Sequence, residues 1–336
     1  MPTVKRPALA AVFLALLLMA LVSAPRPLPA QAVPLKWYKG NLHTHTLNSD
    51  GDSTPLEVAT WYREHGYQFL VLTDHNYLTD VTGLNSFMAA SEKFLLIPGE
   101  EVTDSFEKKP MHMNALNLAT QLAPVHGASM AETIQNNLNL IRKAGALPSL
   151  NHPNFHWAIS VEDMLAVSGL THFEVFNGHP QVNNPGGGGS LSLDQMWDAL
   201  LTAGRRVHGI AVDDAHYFKK IGKEFSNPGQ GWVNARAASL TPESIARALQ
   251  SGDFYASNGV KLSDVRMVDG TYAIDIDRAD WEKTTTTFVG PGGKVLATSF
   301  EKSPRYAIGG NAYVRARVES SSGATAWTQP YFSGAR

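Results

Sequence analysis

Short apolar runs alternate with amphipathic segments along the chain from residue 37 to about residue 257. The apolar runs, of which "YQFLVLT" is the clearest, are typical of buried strands, and the amphipathic segments are typical of helices that pack on one face. Strands and helices that alternate in this way indicate an α/β fold built around a parallel sheet.

Helix starts are unusually clear in this pattern. Thr54, Pro55 and Glu57 have the residue types of an N-cap, a first-turn proline and the acid of a capping box, so we expect a helix from here toward Gly66. The segments "MAETIQNNLNLIRKAG" and "SLDQMWDALLTAG" predict two further helices, each followed by an apolar strand. The same kind of start recurs at Thr241, Pro242 and Glu243.

The periodicity changes after about Ser257. Segments such as "YAIDIDR", "KVLATSF" and "AYVRARV" are short, rich in β-branched or aromatic residues and separated by Gly, Pro and Ser, which predicts strands without helices. We therefore expect an α/β domain over residues 33–257 and a small all-β appendage over residues 258–336. The stretch "NNPGGGGS" lacks the lysine and the spacing of a phosphate-binding P-loop and predicts a flexible loop.

The N-terminal segment has the features of a signal peptide. Lys5 and Arg6 precede the apolar run "ALAAVFLALLLMALVSA", and the small-residue pattern in "LPAQA" ends at Ala32. This predicts a cleaved signal peptide over residues 1–32 and export to the periplasm or out of the cell. The alternative is an uncleaved membrane anchor, but the run is short for a span and a cleavage pattern follows it. We expect no membrane span in the mature chain.

Composition narrows the chemistry. The 336 residues carry a formal net charge of −2 and are 43% hydrophobic, which is typical of a globular protein and provides no basic field for nucleic acid. We therefore expect no nucleic-acid partner. The chain has no cysteine, which excludes disulfides, thiolate metal sites and a cysteine nucleophile. Any metal must be bound by nitrogen and oxygen.

Polar clusters follow several of the predicted strands. In "NLHTHTLNSDG" the histidines His43 and His45 occupy alternate positions of a strand, so both point to one side about 7 Å apart. An H-x-H pair alone is more often incidental than metal-binding. Further imidazole and carboxylate groups lie at or beside the ends of predicted strands. They are Asp50, Asp74, His75, Glu100, Glu101, His112, His152, Asp213, Asp214 and His216.

These clusters predict a multinuclear metal site. The carboxyl ends of parallel strands share one rim of an α/β fold, so residues distant in sequence meet there. Imidazole and carboxylate donors suit Zn, Mn or Fe(II), and donor type does not rank these metals. Two or three cations need a bridging carboxylate, and a glutamate beside the Gly turn of "IPGEE", Glu100 or Glu101, suits that position. We expect no organic cofactor.

The motifs "LHTHTLNSDG", "VLTDHN", "IPGEEVT", "NHP" and "VDDAH" resemble, in order and context, those of the PHP (polymerase and histidinol phosphatase) superfamily of metal-dependent phosphoesterases. The tail, with "GDFYASNG" and "AWTQPYF", is similar to the secreted branch that includes carbaryl-hydrolase-type metallohydrolases. The resemblance implies an α/β fold class, a distorted (β/α)7 TIM-like barrel with a site for two or three metals.

The resemblance also implies a ligand set. Family spacing favours Glu101 over Glu100 and Asp214 over Asp213. The implied ligands are His43, His45, Glu101 and Asp214 for one metal, the bridging Glu101 with His112 and His152 for a second, and Asp50, His75 and His216 for a third.

Hydrolysis by metal-bound hydroxide follows from such a site, without a side-chain nucleophile. We expect a small-molecule ester substrate, first a phosphoester of a phosphatase or phosphodiesterase. A carbamate or carboxylic ester hydrolase and a non-catalytic metal-binding module are the alternatives.

Other polar residues receive supporting roles. Asp74 is predicted to orient a ligand or to accept a proton. Glu174, Asn177 and His179 in "FEVFNGHP" either line the substrate pocket or form a polar strand-end loop. We assign structural roles to His65, His126, His172 and His208.

Overall fold

Seventeen strands and six α-helices follow one another in the part of the chain that the computed structural model describes, which comprises residues 1–3, 34–89 and 94–334. The helices are α1 (Pro55–Glu64), α2 (Thr82–Ala89), α3 (Met130–Lys143), α4 (Val161–Ala166), α5 (Leu193–Thr202) and α6 (Pro242–Ser251). The first nine strands are β1 (Lys36–Asn41), β2 (Phe69–Leu72), β3 (Leu95–Phe106), β4 (Lys109–Leu116), β5 (Leu147–Leu150), β6 (His172–Asn177), β7 (His208–Val212), β8 (Trp232–Ala237) and β9 (Phe254–Ser257). The later strands are β10 (Leu262–Val268), β11 (Thr271–Ile276), β12 (Thr284–Gly290), β13 (Lys294–Ser299), β14 (Arg305–Ala307), β15 (Tyr313–Ser320), β16 (Thr325–Thr328) and β17 (Tyr331–Phe332).

Apart from its first three residues, the predicted signal peptide lies outside the described residues. No helix among those described combines the length and the apolar character needed to cross a membrane.

Strands β1 to β7 form a closed ring. β1, β2 and β3 are parallel neighbours, as are β5, β6 and β7. β4 runs antiparallel to both β3 and β5. A parallel bridge between Thr44 and Ala215 joins the segment after β1 to the segment after β7. The α/β fold with a distorted seven-stranded barrel is therefore confirmed, and the reversed β4 is its distortion.

The predicted helix starts are also present. Thr54 is the N-cap of α1, and its side chain and that of Glu57 form a reciprocal capping box. Thr241 caps α6 in the same position before a proline. A short buried strand follows each of these helices, β2 after α1 and β9 after α6, as the sequence pattern predicts.

The described C-terminal part contains strands, one short 3-10 helix at Pro291–Gly293 and no α-helix, and its strands divide between two sheets. β10, β11 and β14 form a separate three-stranded sheet. β12, β13, β15 and β16 instead extend the barrel sheet, because β16 pairs with β9, β9 with β8 and β8 with β1. The domain boundary that we predict after Ser257 thus falls between strands of a continuous sheet.

A buried arginine ties this tail to the barrel. Arg315 on β15 is fully buried, and its guanidinium lies 2.7 and 2.8 Å from the two carboxylate oxygens of Asp198 and 3.0 Å from that of Asp194, both on α5. The guanidinium also lies over the Trp197 ring. Such a paired, enclosed charge fixes one relative position of β15 and α5.

Two histidines lie at the opposite ends of β6 and β7 from the rim. His172 and His208 are partners in the β6–β7 register, and their ring centroids are 5.2 Å apart. Nε2 of His172 lies 3.0 Å from the Leu249 carbonyl oxygen. Burial lowers the pKa of His172 to about 3 and that of His208 to about 4. Both therefore belong to the interior of the fold.

Candidate metal centre

All nine residues of the predicted ligand set lie together at one end of the barrel. They are carried by the segments that follow β1, β2, β5 and β7 and by the adjacent strands β3 and β4. Their donor atoms form four overlapping groups, and within each group the atoms lie within 4.8 Å of one another. The groups are His45, Asp50, His75 and His216; His43, His152 and Asp214; His43, His45 and Glu101; and His75, Glu101 and His112.

Glu101 occupies the middle of this cluster. It is fully buried, and its two oxygens face different sides. Oε2 lies within 3.4 Å of ring nitrogens of His43, His45 and His75, and Oε1 within 3.4 Å of those of His112 and His152. One carboxylate that contacts five imidazoles is positioned to bridge cations.

The neighbouring acids face away from the cluster. Glu100 accepts a hydrogen bond from the Leu122 N–H at 3.1 Å, and burial raises its pKa to about 7. Asp213 accepts hydrogen bonds from the Tyr62 hydroxyl and from two backbone N–H groups, and burial raises its pKa to about 6. The geometry therefore places Glu101 and Asp214, rather than their neighbours, among the donors.

Three histidines share donor groups beyond those that the resemblance gives them. His45 shares a group with Asp50, His75 and His216 as well as with Glu101. His152 shares a group with His43 and Asp214, and its Nε2 also lies 3.4 Å from Glu101. His75 shares a second group with Glu101 and His112. The nine donors thus form overlapping groups, and their division among cations stays a prediction.

Two donors stand on strained backbone. Asp214 has a φ of 52° and His152 a φ of 23°, in the left-handed region that favours glycine. The Asp214 N–H donates to the His43 carbonyl oxygen at 3.0 Å, and this bond belongs to the junction that closes the barrel. Non-glycine residues in this region are concentrated at functional sites, where the surrounding structure holds them.

The enclosed carboxylates and imidazoles of the cluster shift one another's pKa values. Burial would raise the pKa of Glu101, but His43, His75 and His112 hold it well below its usual range. Burial likewise opposes a charged His75, but Glu101 and Asp50 raise its pKa to about 10. Oε2 of Glu101 and Nδ1 of His112 are buried and form no hydrogen bond within the described residues. Divalent cations bound by imidazole and carboxylate would satisfy these converging lone pairs.

Glu174 and Asn177 lie behind the donors rather than along a pocket. Both side chains are buried, and Oε1 of Glu174 lies 2.6 Å from Nδ1 of His43. Its Oε2 accepts from the His152 N–H and from the Asn177 amide, each at 2.8 Å. The Asn177 amide also donates to Asp214 at 3.1 Å. These contacts orient His43 and Asp214, as carboxylates behind metal-binding histidines commonly do.

His179 is the partly exposed member of the suggested pocket set. Its ring centroid lies 5.6 Å from that of His216 and 5.6 Å from that of Phe155. Phe155 in turn packs on the His152 ring at 5.1 Å. An imidazole and an aromatic ring thus form a wall beside the donors.

Asp74 orders the loop that presents Asp50. Its buried carboxylate accepts hydrogen bonds from the Thr46 N–H at 2.7 Å, from the Ser49 hydroxyl at 2.8 Å and from the Thr79 hydroxyl at 2.6 Å. A carboxylate with this many donors is already satisfied. Of its two predicted roles, the geometry fits the orienting one rather than proton acceptance.

Sequence reasoning missed two supporting side chains. The Asn151 amide donates to Oε1 of Glu101 at 2.8 Å, and the Thr103 hydroxyl lies 2.7 Å from Nδ1 of His75. A signal was available for both. Asn151 directly precedes His152 in "NHP", and Thr103 follows Glu101 by two positions on β3, so it shares its face of the strand.

Comparison with known proteins gives distant structural likenesses. No protein-family model matches the chain, and no curated protein matches its sequence. A two-domain protein from Bacteroides vulgatus that contains a predicted PHP-like metal-dependent phosphoesterase is 17% identical, with 85% of this chain and 90% of that chain covered and a TM-score of 0.49. A candidate metal-dependent phosphoesterase from Bifidobacterium adolescentis is 16% identical, with 63% and 95% covered and a TM-score of 0.40.

A third solved structure is an amidohydrolase from Chromobacterium violaceum with bound sulfate and no metal. It is 17% identical, with 54% of this chain and 88% of that chain covered and a TM-score of 0.36. None of the three likenesses reaches a TM-score of 0.5. The chemical interpretation of the centre therefore rests on its own side chains.

Proposed function

We propose that this protein is an exported hydrolase of phosphoric esters that binds two or three divalent cations at the nine-residue cluster. The observation that carries the proposal is Glu101, a buried carboxylate surrounded by imidazoles and in reach of several donor groups. Donors concentrated in this way at the rim of a barrel, on loops that follow strands, are typical of a catalytic centre. The apolar N-terminal run and its cleavage pattern support export.

The charge of the cluster favours an anionic substrate. Neutral imidazoles add no charge, and Asp50, Glu101 and Asp214 contribute −3 in total. The buried Glu174 carboxylate, which contacts His43, adds a further −1, so two divalent cations (+4) would leave a net charge of 0 and three (+6) a net charge of +2. With three cations the centre is positive and attracts a phosphoester more strongly than a neutral carbamate.

The chain's own residues divide the remaining work. When bound, cations of this kind lower the pKa of coordinated water, polarise the scissile bond and neutralise developing charge. Glu174 and Asn177 keep His43 and Asp214 in position. The rings of His179 and Phe155 lie beside the donors His216 and His152, where they orient a substrate and limit the access of water.

Metal content and hydrolysis of model esters test this function. We expect two or three metals per chain by elemental analysis, and hydrolysis of p-nitrophenyl phosphate or its bis ester. Replacement of a donor, by His43→Ala or Asp214→Ala, should lower activity by at least about 100-fold, more than the loss typical when a residue that only orients a ligand is replaced. His126→Ala is the matched control, because this exposed histidine lies outside the donor groups.

Three results would contradict the proposal in different ways. Fewer than two metals per chain, unchanged in the two donor variants, would exclude the multinuclear site. Turnover of an aryl carbamate without turnover of either phosphoester would replace the substrate class. A full metal complement without turnover of any of these compounds would indicate the non-catalytic module.

A further inference from the structure

A groove lies beside the sheet formed by β1, β8 and β9. Alternate residues of these strands point to one face, and on this face Trp37 and Lys39 of β1 lie next to Trp232 and Asn234 of β8 and Tyr255 of β9. These five side chains line a cavity of about 590 Å³. Lys39 precedes His43 by four residues, which is about 13 Å of extended strand, so the groove is separate from the metal centre.

Lys39 has an unusual environment in this groove. Its ammonium group lies 3.8 Å from the ring centroid of Tyr67 and 4.0 Å from that of Trp232. Within the described residues no carboxylate lies within ion-pair distance of it, and no oxygen accepts a hydrogen bond from it. Burial lowers the pKa of Lys39 to about 8, although the charge of Asp213 opposes this shift. The amine is thus partly desolvated and has aromatic faces but no anion beside it.

Asn234 is directly opposite Lys39 in the β1–β8 register. Side chains at such positions are about 5 Å apart at Cβ, so the amide and the ammonium can contact one ligand group. Asn234 is partly buried, and within the described residues its side-chain amide has no hydrogen-bond partner. The two polar side chains therefore start from neighbouring positions of the groove.

The other charged side chains of this region are already paired. Arg236, next along the same face, lies 2.7 Å from Asp253 and 3.0 Å from Asp264. Lys261 at the rim lies 2.6 Å from Asp277. Among the described residues that line the groove, the donors without a hydrogen-bond partner are thus the Lys39 ammonium, the Asn234 amide and the indole N–H of Trp232.

We propose that this groove is a binding site for a small organic anion that carries a flat ring. The acid group is held between the Lys39 ammonium and the Asn234 amide, and the ring packs beside the indoles of Trp37 and Trp232. An ammonium and an amide supply donors to an acid group, and the aromatic walls supply apolar contact. The volume is within the range of small-molecule sites. The site does not depend on the function proposed for the metal centre.

Calorimetric titration of the full-length protein with naphthalene-2-sulfonate tests the site, since this probe carries no hydrolysable ester. We expect binding that Lys39→Met weakens at least tenfold and Asn234→Ala weakens by a smaller factor. Lys36→Met is the matched control and should bind like the wild type, because this exposed lysine of the same strand does not line the cavity. Sodium sulfate and 2-naphthalenemethanol, which lack the ring and the charge respectively, should each bind at least tenfold more weakly than the sulfonate.

The following outcomes would overturn the proposal. Equal affinity of the wild type and Lys39→Met would remove the site, provided that both unfold at similar temperatures. If Lys39→Met does not fold, equal affinity of the wild type and Asn234→Ala has the same meaning. Loss of binding in His43→Ala alone would place the anion at the metal centre, and sulfate that binds as tightly as the sulfonate would remove the requirement for a ring.

Discussion

At the scale of single residues, the contact between Glu174 and His43 supports a whole side of the metal centre. The 2.6 Å contact fixes which ring nitrogen of His43 faces the cluster, and the second oxygen of Glu174 holds the His152 backbone. Glu174→Gln should weaken metal affinity by about 10- to 100-fold and lower hydrolysis in parallel, because a neutral acceptor makes His43 a weaker ligand. Competition with a chelator measures the affinity.

Glu64→Gln is the control for that variant, because Glu64 is an exposed glutamate at the end of α1. It should leave metal affinity unchanged. A Glu174→Gln protein with wild-type metal affinity would show that the contact with His43 does not support the ligand.

His172 and His208 make folding stability depend on pH. Both are neutral in the folded chain down to about pH 4, whereas an unfolded histidine binds a proton below about pH 6.5. Unfolding therefore takes up protons between these limits, and the free energy of unfolding falls as the pH decreases, by up to about 1.4 kcal/mol per pH unit for each histidine. Their contribution is fully present above pH 6.5.

Urea unfolding at pH 7.5 and pH 5.0 measures this dependence. The double variant His172→Gln/His208→Gln should lose less stability between the two pH values than the wild type, because glutamine does not titrate. Metal-binding histidines titrate equally in both proteins and cancel in the comparison. His126→Gln, at an exposed position, should behave like the wild type. An equal loss in the double variant would place the proton uptake elsewhere.

At the scale of elements, the sequence predicted the rim cluster because most of its donors follow strands that are recognisable from their apolar runs. "HTH", "TDH" and "NHP" stand where apolar runs end, and parallel strands bring such ends together. The direction of β4 was not predictable. Glu107 and Lys108 connect it to β3 with φ values of 50° and 67°, as in a type I′ turn, which Asn and Gly usually form. The residues "EK" give no such signal.

The role of Glu174 was not predictable for a related reason. It stands in β6, and the register between β6 and β7 shifts between Glu174 and Phe176. An irregularity of this kind re-aims side chains relative to simple alternation. A strand-end acid could thus be recognised from the sequence, but the direction in which it points could not.

At the scale of the whole molecule, Arg315 connects the tail to the barrel. Arg315→Met should lower the free energy of unfolding by about 3–5 kcal/mol, because Asp198 would remain buried without its partner. Thermal or urea unfolding measures the loss. The double variant Arg315→Met/Asp198→Asn should recover part of it, since the unpaired charge is removed.

Arg317→Met is the matched control on the same strand. The Arg317 side chain is about one-third exposed, and its ion pairs with Asp194 and Glu319 face solvent. Its replacement should cost less than about 1 kcal/mol. Equal losses in the two single variants would show that burial of Arg315 does not decide its contribution.

The junction between Thr44 and Ala215 also affects when the metal centre can exist during folding. The donors span residues 43 to 216, and His43 and Asp214 become neighbours only when the segments after β1 and β7 meet. The chain must close this long loop before the set is complete, which is slow for contacts so distant in sequence. Cation affinity is therefore linked thermodynamically to closure of the barrel. The fraction of chains that bind cations measures the fraction in which the whole barrel is folded, and does not measure the formation of any single hairpin.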